Sequence, residues 1–174
     1  MKKLIGVLLC VAALAPAQFA LKRAPGFCLI DTTGQWRDLA DYHGKVVLVE
    51  FMQTTCPHCA NFTNILSGLT AKYGDKLQVL SIALAPDTPQ TMMQYVTGHK
   101  QSWPLLLDQG QVAQAYVRGP ELNFPAVWMV DRDGMIVKSW QYGGLTKDIF
   151  EGNQLSRELD KLIGPANATP IKKK

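Results

Sequence analysis

Seven residues, Val46-Val47-Leu48-Val49-Glu50-Phe51-Met52, form an almost unbroken apolar run, and Cys56-Pro57-His58-Cys59 begins four residues after it ends. The run has the length of a strand, and its continuity suits one buried on both faces, as in the middle of a parallel sheet. Beyond the cysteines, Phe62, Ile65, Leu66, Leu69 and Tyr73 recur at helical spacing. A strand, a short turn and a helix that opens on Cys-x-x-Cys is the setting in which this spacing points to redox chemistry. Two intervening residues bring both sulfurs within reach of a disulfide across one helical turn. Pro57 suits the first helical position, where its fixed φ and missing N–H cost nothing. Cys56 then falls at the helix start, where unpaired N–H groups and the positive dipole end favour a thiolate, the attacking species in exchange. His58, when protonated, adds positive charge nearby. Cys59, one turn further in, is expected to be less exposed and to act as the resolving thiol.

Structural zinc needs four cysteine or histidine ligands. The chain has no second Cys-x-x-Cys and no paired histidines, so neither a metal nor a cofactor is expected.

The 174 residues argue for one domain. Formal net charge is +4, but Lys2, Lys3, Lys172, Lys173 and Lys174 sit at the ends. Without those five, 13 of the 18 basic residues remain against 14 acidic ones. A nearly neutral body gives no support to nucleic-acid binding, which needs a basic face. Residues 164–174 read as a solvated, disordered basic tail.

Met1-Lys2-Lys3, the apolar stretch Leu4 to Leu14 and Ala15-Pro16-Ala17 have the form of a secretory signal peptide over residues 1–17, with cleavage after Ala17 or, second, after Ala20. The alternative is an uncleaved N-terminal membrane anchor, since Leu4 to Ala20 is uncharged and at the short end of a bilayer span. Either way the domain is exported, to a periplasmic or otherwise extracytoplasmic compartment where disulfides persist. Cys28, in the strand pattern Phe27-Cys28-Leu29-Ile30, reads as a small buried apolar residue.

The folded domain is expected over residues 24–163. Phe27 to Asp31 and Gln35 to Arg37 read as a hairpin around Thr32-Thr33-Gly34. Asp38 to His43 reads as one helical turn, Leu77 to Leu84 as a strand, Pro89 to His99 as a helix, Trp103 to Leu107 as a strand and Gln111 to Tyr116 as a short helix. Ala126 to Val130 and Met135 to Trp140 form a hairpin across Asp131-Arg132-Asp133-Gly134. One helix, Thr146 to Ile163, closes the domain, with Ile149, Leu155, Leu159 and Leu162 inward.

In this order, Ala24-Pro25-Gly26-Phe27, Leu39 to Val49, Thr55-Cys56-Pro57-His58-Cys59 and Phe124 to Gly134 resemble the thioredoxin fold, and more closely its exported TlpA/ResA-type branch. The resemblance covers Ala24 to Ile163. It implies an α/β fold with a central mixed sheet flanked by helices, an N-terminal β-hairpin and a central βα insertion between Leu77 and Tyr116. It implies a thiol–disulfide oxidoreductase, working as a monomer through a redox-active Cys56–Cys59 disulfide. Glu50 falls near the buried acid of thioredoxins, where desolvation raises its pKa and suits it to take the Cys59 proton, through water, as Cys59 attacks the mixed disulfide. Phe124–Pro125 is implied to be cis and, with Pro57 and His58, to form the substrate-binding surface. The implied partners are protein thiol and disulfide substrates and a membrane-embedded electron donor or acceptor, in a reductive role such as cytochrome c maturation.

The chain departs from that branch at Thr55, where Trp is usual, and at Phe124, where a small or β-branched residue is usual. Its Pro57-His58 dipeptide also occurs in DsbA-like oxidants, which makes a disulfide-forming oxidant the alternative direction. A Sco-like copper-binding assembly factor is the alternative of another class, but its Cys-x-x-x-Cys is one residue longer. The Pro-x-x-x-Thr-x-x-Cys pattern of peroxiredoxins would need Pro at Val49 and Thr at Gln53.

Overall fold

β4 (Val46–Met52) is buried along its whole length, as its apolar run predicts. The computed structural model describes residues 22–117 and 119–164, so the signal segment and the basic tail beyond Gly164 lie outside the described residues. β4 sits inside a six-stranded sheet. β5 (Leu77–Ala83) lies parallel to it on one side, and β6 (Leu105–Leu107) parallel to β5. On the other side β7 (Ala126–Val130) runs antiparallel to β4, and β8 (Met135–Gln141) antiparallel to β7. β1 (Lys22–Arg23), which the sequence pattern does not reveal, adds an edge to β8. The parallel steps are made by α1 (Pro57–Tyr73) and α2 (Pro89–His99).

Alternation along β4 divides the core. Val46 and Leu48 face α1, packing with Phe62, Leu66, Leu69 and Tyr73. Val47, Val49 and Phe51 face the other layer, with Phe27, Tyr116 and Trp128. That layer holds the hairpin of β2 (Cys28–Ile30) and β3 (Trp36–Asp38), and α3 (Gln111–Tyr116). Full burial of a side chain such as Phe62 stabilises by roughly 2–3 kcal/mol. Among the described residues no helix is long and apolar enough to cross a membrane.

Three expectations need correction. Cys28 is exposed. The β2–β3 hairpin has only two strands and covers the sheet with one side, so Leu29 turns inward while Cys28, Ile30 and Trp36 face solvent. The closing helix is two helices, α4 (Lys147–Glu151) and α5 (Gln154–Ile163). Gly152 between them is extended, and a β-carbon there would lie 1.9 Å from Asp148 Oδ1. The break rotates α5 so that Ile163 is buried and Leu162 only partly so. The strand expected from Trp103 begins at Leu105, because Trp103 turns its indole under the sheet.

Candidate active site

Cys56 is the N-cap of α1, with extended backbone (φ −81°, ψ 116°), and Pro57 opens the helix. A residue before proline is pushed toward that conformation by the ring, so the sequence itself sets where the helix begins. The Cys56 N–H donates to the Gln53 carbonyl at 3.1 Å. The turn before it is braced from outside. Gln53 Nε2 donates to Ala85 O at 2.7 Å, and Thr54 N donates to Asp87 Oδ2 at 2.8 Å. The Thr54 hydroxyl donates to Asp87 Oδ1, which also accepts from Thr91 Oγ1 at 3.0 Å.

Both thiols are free, and their surroundings differ sharply. Cys56 is half-buried at the surface, and its Sγ lies 3.8 Å from the Phe124 carbonyl oxygen, to which the thiol donates. Cys59 has no exposed surface and packs with Met52, Ala83, Met92, Tyr95 and Leu105. Burial pushes the Cys59 thiol far up, the charge of Glu50 pushes it further, and a backbone hydrogen bond from Gln53 offsets part of this.

Phe124–Pro125 is cis, and Pro125 is buried. The Tyr142 N–H donates to Pro125 O at 2.9 Å, and Asn123 N donates to Gln141 Oε1 at 2.9 Å, so the end of β8 fixes this loop. His58 is exposed and stacks on Tyr142, with ring centroids 4.0 Å apart and planes 21° apart. Tyr142 Oη donates to Glu151 Oε1 at 2.5 Å. That bond, with Lys147, holds the Glu151 carboxyl below its ordinary range and raises the Tyr142 phenol.

Glu50 lies on the α1-facing side of β4, 1% exposed, beside Ser81 on β5 and Val127 on β7. Burial raises its pKa to about 7 against a lowering hydrogen bond that Ser81 Oγ donates to Oε2. Its other oxygen, Oε1, has no hydrogen-bond partner among the described residues. Trp103 Nε1 donates to Ser81 Oγ at 2.9 Å. On the α2 side, Tyr95 Oη and Thr63 Oγ1 are 2.8 Å apart, and Thr63 Oγ1 donates to Cys59 O at 3.1 Å.

Cys56, Cys59, Pro57, His58, Phe124, Pro125 and Glu50 thus converge at the carboxyl end of β4. A cavity lined by Tyr42, His43, Val47 and Val130 lies at its other end, away from all seven. Ser81, Trp103, Tyr142, Glu151, Thr54 and Asp87 are part of the site that motif reading missed. A buried carboxyl beside a buried thiol, with a second thiol at a helix start, can accept and return one proton during disulfide exchange.

A family model described as the AhpC/TSA family matches residues 20–139. The chain belongs to the AhpC/TSA family. Thiol-disulfide oxidoreductase ResA of Bacillus thuringiensis (strain Al Hakam) is 30% identical over 132 residues, which is 75% of this chain and 74% of the relative. Among solved structures, the thioredoxin domain of a thiol-disulfide oxidoreductase from Bacteroides vulgatus superposes with a TM-score of 0.69 at 23% identity, covering 84% of this chain and 99% of that one. A conserved protein from Geobacillus kaustophilus gives 0.71 at 25% identity, over 91% and 89%. The fold is thioredoxin-like. The peroxidatic pattern is not met within this family member: Val49 is a core residue of β4, and Gln53 is engaged with Ala85.

Proposed function

We propose that this thiol–disulfide oxidoreductase reduces disulfides in exported proteins through Cys56 and Cys59. The observation that carries the roles of the two cysteines is the asymmetry of the pair: one sulfur at the surface beside the Phe124 carbonyl, the other buried beside Glu50. The Cys56 thiolate attacks a substrate disulfide, forming a mixed disulfide and releasing one substrate thiolate, which takes a proton. The Cys59 thiol gives its proton to Glu50, and its sulfur attacks Cys56. The Cys56–Cys59 bond forms, the second substrate thiolate leaves and takes a proton, and two electrons have passed to the substrate. A membrane-embedded dithiol donor then reduces the pair.

Residues 1–17 direct export or, left uncleaved, the run Leu4 to Ala20 anchors the domain at the membrane, and the domain at 24–163 works as a monomer. Disulfides of cytochrome c precursors are among its substrates. Pro57, His58, Phe124 and Pro125 meet the substrate chain, whose backbone lies along Phe124.

Changing Cys59 to Ala should accumulate mixed disulfides on Cys56; accumulation in the Cys56→Ala variant instead would reverse the roles. The Pro57-His58 dipeptide favours a second reading, a disulfide-forming oxidant. The reduction potential of the pair separates the two: near roughly −270 mV with the pair reduced in the cell supports the reductant, and near roughly −120 mV with the pair oxidised supports the oxidant. A copper titration of the reduced protein, followed by absorbance, tests the copper-binding class.

A further inference from the structure

We infer that Ser81 and Trp103 are positioning residues that hold the Glu50 carboxyl by Oε2 and so leave Oε1 as the oxygen that receives the Cys59 proton. The inference rests on the proposed role of Glu50 and goes beyond it by assigning the two residues that aim the acid.

The direction of the hydrogen bonds carries the argument. An indole N–H can only donate, and a serine hydroxyl has one proton to give. Trp103 Nε1 donates to Ser81 Oγ at 2.9 Å, so that oxygen accepts from the indole and its own proton goes to Glu50 Oε2. All three residues are buried, Glu50 and Ser81 at 1% exposed and Trp103 at 6%. Bulk solvent therefore does not compete for either bond. Oε1 is left without a partner among the described residues. An unpaired buried carboxylate oxygen is costly; Oε1 is the oxygen of the acid that carries no hydrogen bond, and the one a proton satisfies at least cost to the Ser81 bond.

The register explains how the chain builds this. Glu50 and Ser81 are direct neighbours across the parallel β4–β5 pair, and Ser81 N donates to Pro104 O at 3.2 Å, next to Trp103. Other ionisable groups near Glu50 come from α1 and α2: Cys59, whose thiol its charge raises, and Tyr95, whose buried phenol its charge also raises, with Cys56 adding to both. None of these donates to Oε1 in the structure.

The test separates the two exchange steps with a small aromatic disulfide, dithiobis(nitrobenzoate). Attack by Cys56 releases the first thionitrobenzoate and leaves the second bound to Cys56; attack by Cys59 closes the Cys56–Cys59 bond and releases the second. Two phases of colour in stopped flow report the two sulfurs. The rate of the second phase should rise with pH through a midpoint set by Glu50. Ser81→Ala removes a hydrogen bond to the charged form, so that midpoint should move up by about one pH unit while the first phase keeps its rate. Trp103→Phe frees the Ser81 hydroxyl to turn and should shift the midpoint in the same direction by less. Ser81→Thr, which keeps the hydroxyl, should restore it. In a Glu50→Gln background Ser81→Ala should add no shift. A slowed second phase in Glu50→Gln with unmoved midpoints in both Ser81→Ala and Trp103→Phe overturns this inference alone. An unaltered second phase in Glu50→Gln overturns the role of Glu50 and this inference with it. Should Ser81→Ala fail to fold, Trp103→Phe decides.

Discussion

The imidazole of His58 lies flat against the ring of Tyr142, 4.0 Å between centroids, so the second residue inside the Cys-x-x-Cys turn is held by the residue that follows β8. Tyr142 also donates its N–H to Pro125 and its hydroxyl to Glu151. One residue outside every recognised motif thus joins the cysteine turn, the cis-proline loop and α4.

Tyr142→Phe separates these roles. The ring and backbone bond remain, but Glu151 loses the hydrogen bond that is the largest cause of its lowered pKa. The Glu151 carboxyl should titrate at higher pH in the variant, measured by carbon-detected NMR. The His58 ring protons should keep their ring-current shift in Tyr142→Phe and lose it in Tyr142→Leu.

Glu50 should make the native protein's stability depend on pH in a definite direction. Its pKa rises from 4.5 to about 7 on folding, because burial disfavours the charge. Between those values the folded state holds the proton that the unfolded state has lost. Stability therefore falls as pH rises from about 4.5 to 7 and levels off above. Glu50→Gln lacks this term, so its stability relative to native should improve by about 2–3 kcal/mol between pH 5 and pH 8. Urea unfolding of the reduced proteins across that range measures it; parallel curves would mean that Glu50 is ionised at little cost in the fold.

Asp87→Ala should loosen the turn that carries Cys56. Its carboxylate accepts from the Thr54 amide, the Thr54 hydroxyl and the Thr91 hydroxyl. Hydrogen bonds to a charged acceptor contribute roughly 1.5–3 kcal/mol each when partly buried, so a loss of about 2 kcal/mol is expected after solvent replaces some of them. Hydrogen exchange should lose protection at the Thr54 amide before any change in the core strands.

Cys28→Ser should be nearly silent. The side chain is exposed on the outer side of the β2–β3 hairpin, and exposed substitutions of this kind usually change stability by less than about 0.5 kcal/mol. Thermal unfolding and the two-phase exchange assay should both match the native protein. A loss of several degrees would show that the thiol is packed.

The strand, the helix start and the cysteine pair were legible because each is written in contiguous residues. Continuous apolarity marks β4, and proline marks the start of α1. Ser81 and Trp103 were not, because they meet Glu50 only through strand register and a turn at Pro104. A partial signal existed: β5, like β4, carries a polar residue within a largely apolar strand, and a parallel alignment sets Ser81 opposite Glu50. Cys28 was misjudged because period-two alternation says which residues share a side but not which side meets the core. The break at Gly152 had a signal that was passed over: Ile149 and Leu155 are six residues apart, which does not keep them on one face of a continuous helix, whereas Leu155 and Leu159 share one. The 1.9 Å approach that a β-carbon at position 152 would make to Asp148 Oδ1 shows why that position takes glycine.

The segment between β5 and α2 grips the turn that leads into Cys56 through Gln53, Thr54 and Asp87. A chimera that kept the cysteine turn and exchanged residues 84–99 for a relative's would therefore inherit a new shape for the mouth around Cys56, although no cysteine-bearing residue had been altered. Redesign of this enzyme's choice of partner has a handle on the far side of β5.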